Sequence, residues 1–257
     1  MSFIRAEICT TENLNNSEIA KQFFEIIEFL KLTPEAISFY EPIRTKYSKE
    51  KAIEYWTKEE AGCWDMKEEK YLGKAGGLLA RNKNLSLTYF ISWWYRHDMK
   101  FVNYISFYIS ASKYKRVEKE FLELFKETIN ISKAVYAYIA HSDTIERQST
   151  TGGIEHRIPG MFWCNYFSNI YVDFFGKEKF ESDFWHKKDK FPKGTIIYID
   201  DAPNKRLLDD LSIEENAKVY LGYDSFSNKK EEEIRKKDII KWENEDPIQY
   251  KNVPKLI

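Results

Sequence analysis

The chain has 257 residues, 43% hydrophobic and 32% charged, a composition that supports a folded protein with a sizeable core and excludes a disordered or fibrous one. Lys and Arg number 40 against 41 Asp and Glu, a formal net charge of -1, so the chain lacks the basic excess with which general nucleic-acid binders neutralise phosphates. Seventeen tyrosines, eighteen phenylalanines and seven tryptophans make the core aromatic, whereas ten glycines and seven prolines leave little for linkers or glycine-built phosphate loops.

In chain order, Phe3–Cys9 reads as a short strand. Asn16 and Ser17 then offer an N-cap, and Ile19, Phe23, Ile26, Ile27 and Leu30 recur at helical spacing. Thr33-Pro34 stops that helix, because proline disfavours helical geometry in the residue before it. Ala36–Tyr40 reads as extended, and Ser48–Glu60 as a second helix with Ile53 and Trp56 inward. Gly73, Gly76 and Gly77 predict turns.

The clearest pattern begins at Leu85. Over Leu85–Tyr95, Leu85, Leu87, Tyr89, Ile91 and Trp93 fall on one face, the alternation of a half-buried strand. Phe101–Ser110 alternates again after a polar turn, so the two should pair as an antiparallel hairpin. Lys113–Ile129 predicts a helix, with Val117, Phe121, Leu124, Phe125 and Thr128 in one stripe, and Ala134–Ala140 a third strand. That order predicts an α+β fold, a mostly antiparallel central sheet with helices packed on it.

His141–Arg157 is polar and contains Gly152-Gly153, which predicts a loop. Met161–Phe175 is aromatic and reads as a helix closed by Gly176, with a short helix near Phe180 and Phe184 after it. Thr195–Ile199 predicts a strand, followed by short helices over Leu207–Leu211 and Glu214–Leu221. Beyond Asn228 the composition turns to Lys, Glu and Asp. The expected organisation is one domain over 1–257: a docked N-terminal subregion at 1–80, a core at 81–227, and a charged helix and tail at 228–257.

Cys9, Cys63 and Cys164 are an odd, scattered set with no CxxC pair, which fits a reducing compartment. Met1–Asn13 has no apolar h-region, and no run approaches the ~20 apolar residues that span a bilayer, so the expectation is a cytoplasmic protein.

Chemistry is sparse. The sequence contains no GxGxxG, GxxxxGK[ST], GxSxG or HExxH motif. His141-Ser142-Asp143, with Glu146 and His156 across a loop, is the nearest approach to a metal or catalytic set, since nitrogen and oxygen ligands of this kind bind divalent ions. Asp200-Asp201 follows a strand, but neighbours on a strand point to opposite faces, so a turn at Asp201-Ala202-Pro203-Asn204 explains them at least as well. Lys113-Tyr114-Lys115-Arg116, opening a helix that soon turns acidic, and Tyr136 and Tyr138, at strand spacing, have the residue types of a single-strand stacking platform, though a solvated helix face and core packing explain them as well.

Residues 158–226 carry a resemblance. A Pro-Gly helix start leads to Trp163-x-Asn165-Tyr-Phe167 and ends in Phe175-Gly176; a strand led by Gly194 then runs to an acidic turn before Pro203, and Leu221-Gly222 and Phe226 close the segment. This looks like the later half of bacterial immunity proteins of mixed α/β fold, the kind encoded beside polymorphic and type VI secretion toxins. It departs from that pattern at Ser168, where a glycine would be expected. The resemblance implies a non-enzymatic protein that binds and neutralises a cognate toxin protein, without metal or cofactor and with neither membrane nor nucleic acid as its partner. Loops carry recognition in such a fold, which makes Asp143, Glu146, Arg147, Glu155, Asp200 and Asp201 the expected partner contacts. The competing expectations are a metal-dependent hydrolase using His141, Asp143 and His156, and a nucleic-acid-binding or phage-defence accessory protein.

Overall fold

The computed structural model describes residues 2–62, 64–65, 69–97, 100–149, 153–203, 210–228 and 251–256. It is a mixed α+β structure with antiparallel strand pairings, and it forms two compact units, Met1–Ala137 and Tyr138–Leu256.

In the first unit, β1 (Phe3–Thr10), β2 (Ala36–Ser38), β3 (Thr45–Lys46), β4 (Glu60–Ala61), β7 (Lys74–Asn82), β8 (Leu87–Tyr95) and β9 (Asn103–Ser110) belong to one sheet, while β5 (Trp64–Asp65) and β6 (Lys70–Tyr71) pair separately. The order is β1-β9-β8-β7-β2-β3, with β4 on β7, and each pairing is antiparallel. Leu87, Tyr89, Ile91 and Trp93 of β8 are buried, and Tyr89 lies opposite Phe107 and Ile91 opposite Ile105 in the hairpin.

Helices α1 (Ser17–Phe29), α2 (Lys49–Thr57), α3 (Ala111–Tyr114) and α4 (Glu118–Ser132) complete the unit. Asn16 starts α1 by accepting from the N–H groups of Glu18 and Ile19 at 2.9 and 3.2 Å, and Ser48 does the same for α2 from Lys51 at 3.3 Å. The α1 row Ala20, Phe23, Phe24 and Ile27 is buried. Large aromatics sit in this core because their polar tips find acceptors. Trp56 Nε1 donates to the Leu14 carbonyl at 2.6 Å, Trp93 Nε1 to the Trp56 carbonyl at 2.8 Å, and the Tyr89 hydroxyl to the Leu32 carbonyl at 2.6 Å. Each such side chain contributes about 1.5–3 kcal/mol of burial with no unpaired donor to offset it.

Strand β10 (Tyr136–His141) carries the chain into the second unit, which adds α5 (Ser142–Gln148), β11 (Cys164–Ser168), α6 (Asn169–Phe175), α7 (Lys177–Glu181), β12 (Lys187–Phe191), β13 (Gly194–Tyr198) and α8 (Ser212–Leu221). The strand order here is β12-β13-β11-β10, with Cys164 opposite Tyr198 and Phe167 opposite Thr195. Phe167 is the hub of the helical face, in edge contact with the rings of Tyr171, Phe175 and Phe180. The last described residues return to this unit: Lys251 donates its N–H to the His156 carbonyl at 2.8 Å.

Four expectations change. Gly76 and Gly77 are not turn residues; they lie within β7, where a Cβ on Gly76 would come 2.2 Å from the Trp93 indole and one on Gly77 2.1 Å from the Ile91 carbonyl oxygen. The glycines permit close strand approach. The 141–157 stretch is not all loop, since α5 occupies Ser142–Gln148. Met161–Phe175 is not one helix: β11 precedes α6, so Trp163 and Phe167 do not share a helix face. Finally, the helix expected over Lys113–Ile129 breaks at 115–117 into α3 and α4. The Leu207–Leu211 helix falls largely, and the C-terminal charged helix wholly, outside the described residues.

Candidate functional site

The expected contact residues fall in the second unit, and most converge on one end of its sheet. Strand β10 ends at His141, whose Nδ1 accepts from the Asp143 N–H at 3.2 Å and so caps α5. Thr144 and Gln148, four residues apart, form the buried side of this helix. The Gln148 amide grips the backbone of Met161 in both directions, donating to its carbonyl at 2.7 Å and accepting from its N–H at 3.2 Å. Gly160 must be glycine for this contact, because a Cβ would lie 2.6 Å from Gln148 Oε1.

The same segment holds the acidic turn after β13. Trp163 Nε1 donates to the Asp200 carbonyl at 2.9 Å, and the Ile199 N–H donates to the Trp163 carbonyl at 3.0 Å. Asn165, fully buried, closes a ring with Phe162 by accepting from its N–H at 3.0 Å and donating to its carbonyl at 2.6 Å. Residues 160–165 thus form a rigid strut with α5 fixed at one point and the 199–201 turn at another.

The six expected contact residues separate on this frame. Asp143 has 60% of its side chain exposed, and Glu146 and Asp201 are also exposed. Arg147 turns away from solvent contacts to meet Glu214 of α8, with Nη1 2.7 Å from Oε2 and Nη2 2.9 Å from Oε1. Asp200 is buried, and its Oδ1 accepts from the N–H of the next residue, Asp201, at 2.9 Å. Glu155 is half-buried and lies 3.5 Å from His156. Three carboxylates therefore face outward, while Arg147 and Asp200 hold the frame.

Glu214 is fully buried, and that burial pushes its carboxyl above its ordinary value, against the pull of the Arg147 guanidinium and the Lys218 ammonium. Sequence spacing singles out neither Glu214 nor Gln148, since each is one of several polar residues on a short helix and only the fold shows which of them are buried. Burial likewise raises the Tyr198 phenol, with further upward pushes from Cys164 and Asp189.

The competing sets are not assembled. Among the described residues no group of three or more His, Cys, Asp or Glu side chains is placed to hold a metal ion. His141 Nδ1 serves the α5 cap, and His156 faces Glu155 instead of Asp143. Tyr114, Tyr136 and Tyr138 are buried and offer no face to a base, and Lys113 Nζ donates to the Asn84 carbonyl at 2.6 Å. Among the described residues no helix is long and apolar enough to cross a membrane.

No protein-family model matches the chain, and no curated protein matches it at a significant level. Among solved structures it is similar to the Pseudomonas aeruginosa T6SS protein PA0821, at 11% sequence identity and a TM-score of 0.53, over 77% of this chain and 68% of that one. At that identity the likeness is one of fold: a protein of a type VI secretion system shares this α+β architecture.

Proposed function

We propose that the chain is a bacterial immunity protein that neutralises a secreted toxin by binding it, without a catalytic step of its own. The observation that carries this reading is the acidic end of the second unit. Asp143, Glu146 and Asp201 point outward from a base whose own polar groups are spent on holding it rigid. A preformed end of this kind loses little entropy on binding, and its carboxylates complement a basic partner surface. The resemblance of 158–226 to immunity proteins and the fold shared with a T6SS protein support the same class.

The test is co-expression with the product of the adjoining reading frame. The expected result is a neighbour that kills cells alone, is harmless beside this chain and co-purifies with it. A neighbour that still kills, or that fails to co-purify, overturns the reading.

A further inference from the structure

The most exposed large apolar side chain among the described residues lies in the first unit. Phe29, on the last turn of α1, is 84% exposed. Single exposed apolar groups are ordinary on soluble proteins. This one is not single. Helix α1 has a second apolar row beside its buried one: Ile26, Phe29 and Leu30, at i, i+3 and i+4. That row forms one wall of a groove of about 450 Å³ whose other wall is the Glu123, Glu127 and Ile131 row of α4, spaced four residues apart along the helix.

The charge in this groove has one sign. Glu25 of α1 and Glu123 and Glu127 of α4 rim it, Gln22 is the remaining polar residue, and no Lys or Arg lines it. Gln22 is tied to Glu18 through its Nε2 at 2.9 Å and adds no cation. From Gln22 to Leu30 the α1 wall rises about 12 Å, roughly two helical turns. An apolar floor of that length accepts two or three side chains from one face of a docked helix, and a carboxylate rim selects for positive charge beside them.

We propose that the α1–α4 groove is a docking site for a basic amphipathic helix of a partner protein. Phe29 and Leu30 hold its apolar face and Glu25, Glu123 and Glu127 its Lys or Arg flanks. This site is independent of the acidic end of the second unit, so either reading stands if the other fails.

The experiment uses the full chain and two labelled synthetic helices of about 15 residues, long enough to hold helical structure on a surface. Both carry leucines at i, i+4 and i+7; one has Lys and Arg flanks and the other Glu flanks. Fluorescence anisotropy should show saturable binding of the basic helix only, weakening as salt rises. Phe29→Ser should weaken it about tenfold, as loss of a central apolar anchor does. Because Phe29 is exposed, that variant keeps the wild-type circular dichroism and melting temperature. Glu123→Lys with Glu127→Lys should weaken the basic helix and admit the acidic one. No binding, equal binding of both helices, or binding indifferent to Phe29→Ser overturns the proposal. Sedimentation showing a dimer that dissociates on Phe29→Ser also overturns it, by making a second copy of the chain the occupant.

Discussion

Arg147 and Glu214 meet through both terminal guanidinium nitrogens and both carboxylate oxygens, at 2.7 and 2.9 Å, with the Glu214 side chain fully buried and Arg147 31% exposed. The pair joins α5 to α8, and its two members are not equal. Removing the arginine leaves a buried carboxylate without its main partner, which costs about 3–5 kcal/mol in comparable sites. Lys218, buried on the same helix and paired with Glu215 at 2.9 Å, lies near enough to favour the charge and softens that loss. Arg147→Met should therefore cost about 3 kcal/mol in urea unfolding, and Arg147→Met with Glu214→Leu should recover most of it, because the double variant buries no charge. A single variant as stable as wild type would show that the pair contributes nothing.

The same carboxylate sets a pH dependence. Burial raises Glu214 above its ordinary 4.5 in the folded state, although Arg147 and Lys218 pull it down. A raised acid binds its proton more tightly folded than unfolded, so its contribution is full below 4.5 and is lost as the pH rises through the folded value. Glu214→Gln should flatten that part of the stability curve. In Arg147→Met the loss should shrink on acidification, as protonation removes the unpaired charge. Urea midpoints across the acid range check both.

The hairpin β8–β9, helices α1 and α4, and the α+β class were legible because each has a clean period and a buried face. Strand β11 was not. All five residues of Cys164–Ser168 are buried, so neither a period of two nor one of 3.6 shows, and the aromatic run reads equally as helix. Strand β12, Lys-Lys-Asp-Lys-Phe, lacks an apolar face altogether; it lies at the end of the strand order, where lysines discourage further pairing. At the site, sequence located the 200–201 turn but read α5 as loop and assigned Arg147 and Asp200 to the surface. Their partners lie 67 residues away in Glu214 and next door in the turn backbone, and only the fold distinguishes these roles.

Asn165 tests the strut itself. Its two hydrogen bonds to Phe162 are fully buried, so Asn165→Leu leaves a backbone N–H and a carbonyl without partners. Each such group costs about 1–3 kcal/mol. The variant should lose several degrees of melting temperature and, with the strut slack, expose the 199–201 turn to faster amide hydrogen exchange. Unchanged exchange there would separate the strut from the turn.

The tyrosine core predicts alkaline weakness. Burial pushes Tyr166 up to about 12, and its hydroxyl donates to the Lys193 carbonyl at 3.0 Å; Tyr89 and Tyr198 are also raised. Phenols held protonated in the folded state give stability that is full below the ordinary value of 10 and lost as the pH rises through the folded values. Unfolding should therefore accompany tyrosinate absorbance in one cooperative step above 10, and Tyr166→Phe should make that step shallower. Gradual titration of all tyrosines without unfolding would show that the core admits hydroxide freely.

Asp143 and Glu146 separate binding from folding. Both are exposed on α5, while the buried side of that helix is held by Gln148 through Met161. Asp143 accepts from the Ser142 hydroxyl at 3.0 Å in an exposed contact. Reversal at Asp143 forfeits favourable charge in the first helical turn, about 0.3–1 kcal/mol. Asp143→Lys with Glu146→Lys should thus melt within a few degrees of wild type. If the acidic end is the contact surface, the same variant loses capture of the basic partner by more than tenfold, because each reversal replaces attraction with like-charge repulsion, which costs several kcal/mol at an interface. Gln148→Leu should behave in the opposite way, with a large stability loss and partner capture that recovers with the folded fraction. A reversal variant that still protects cells at wild-type level would move the contact surface away from α5, and one that fails to fold would show that these carboxylates belong to the frame.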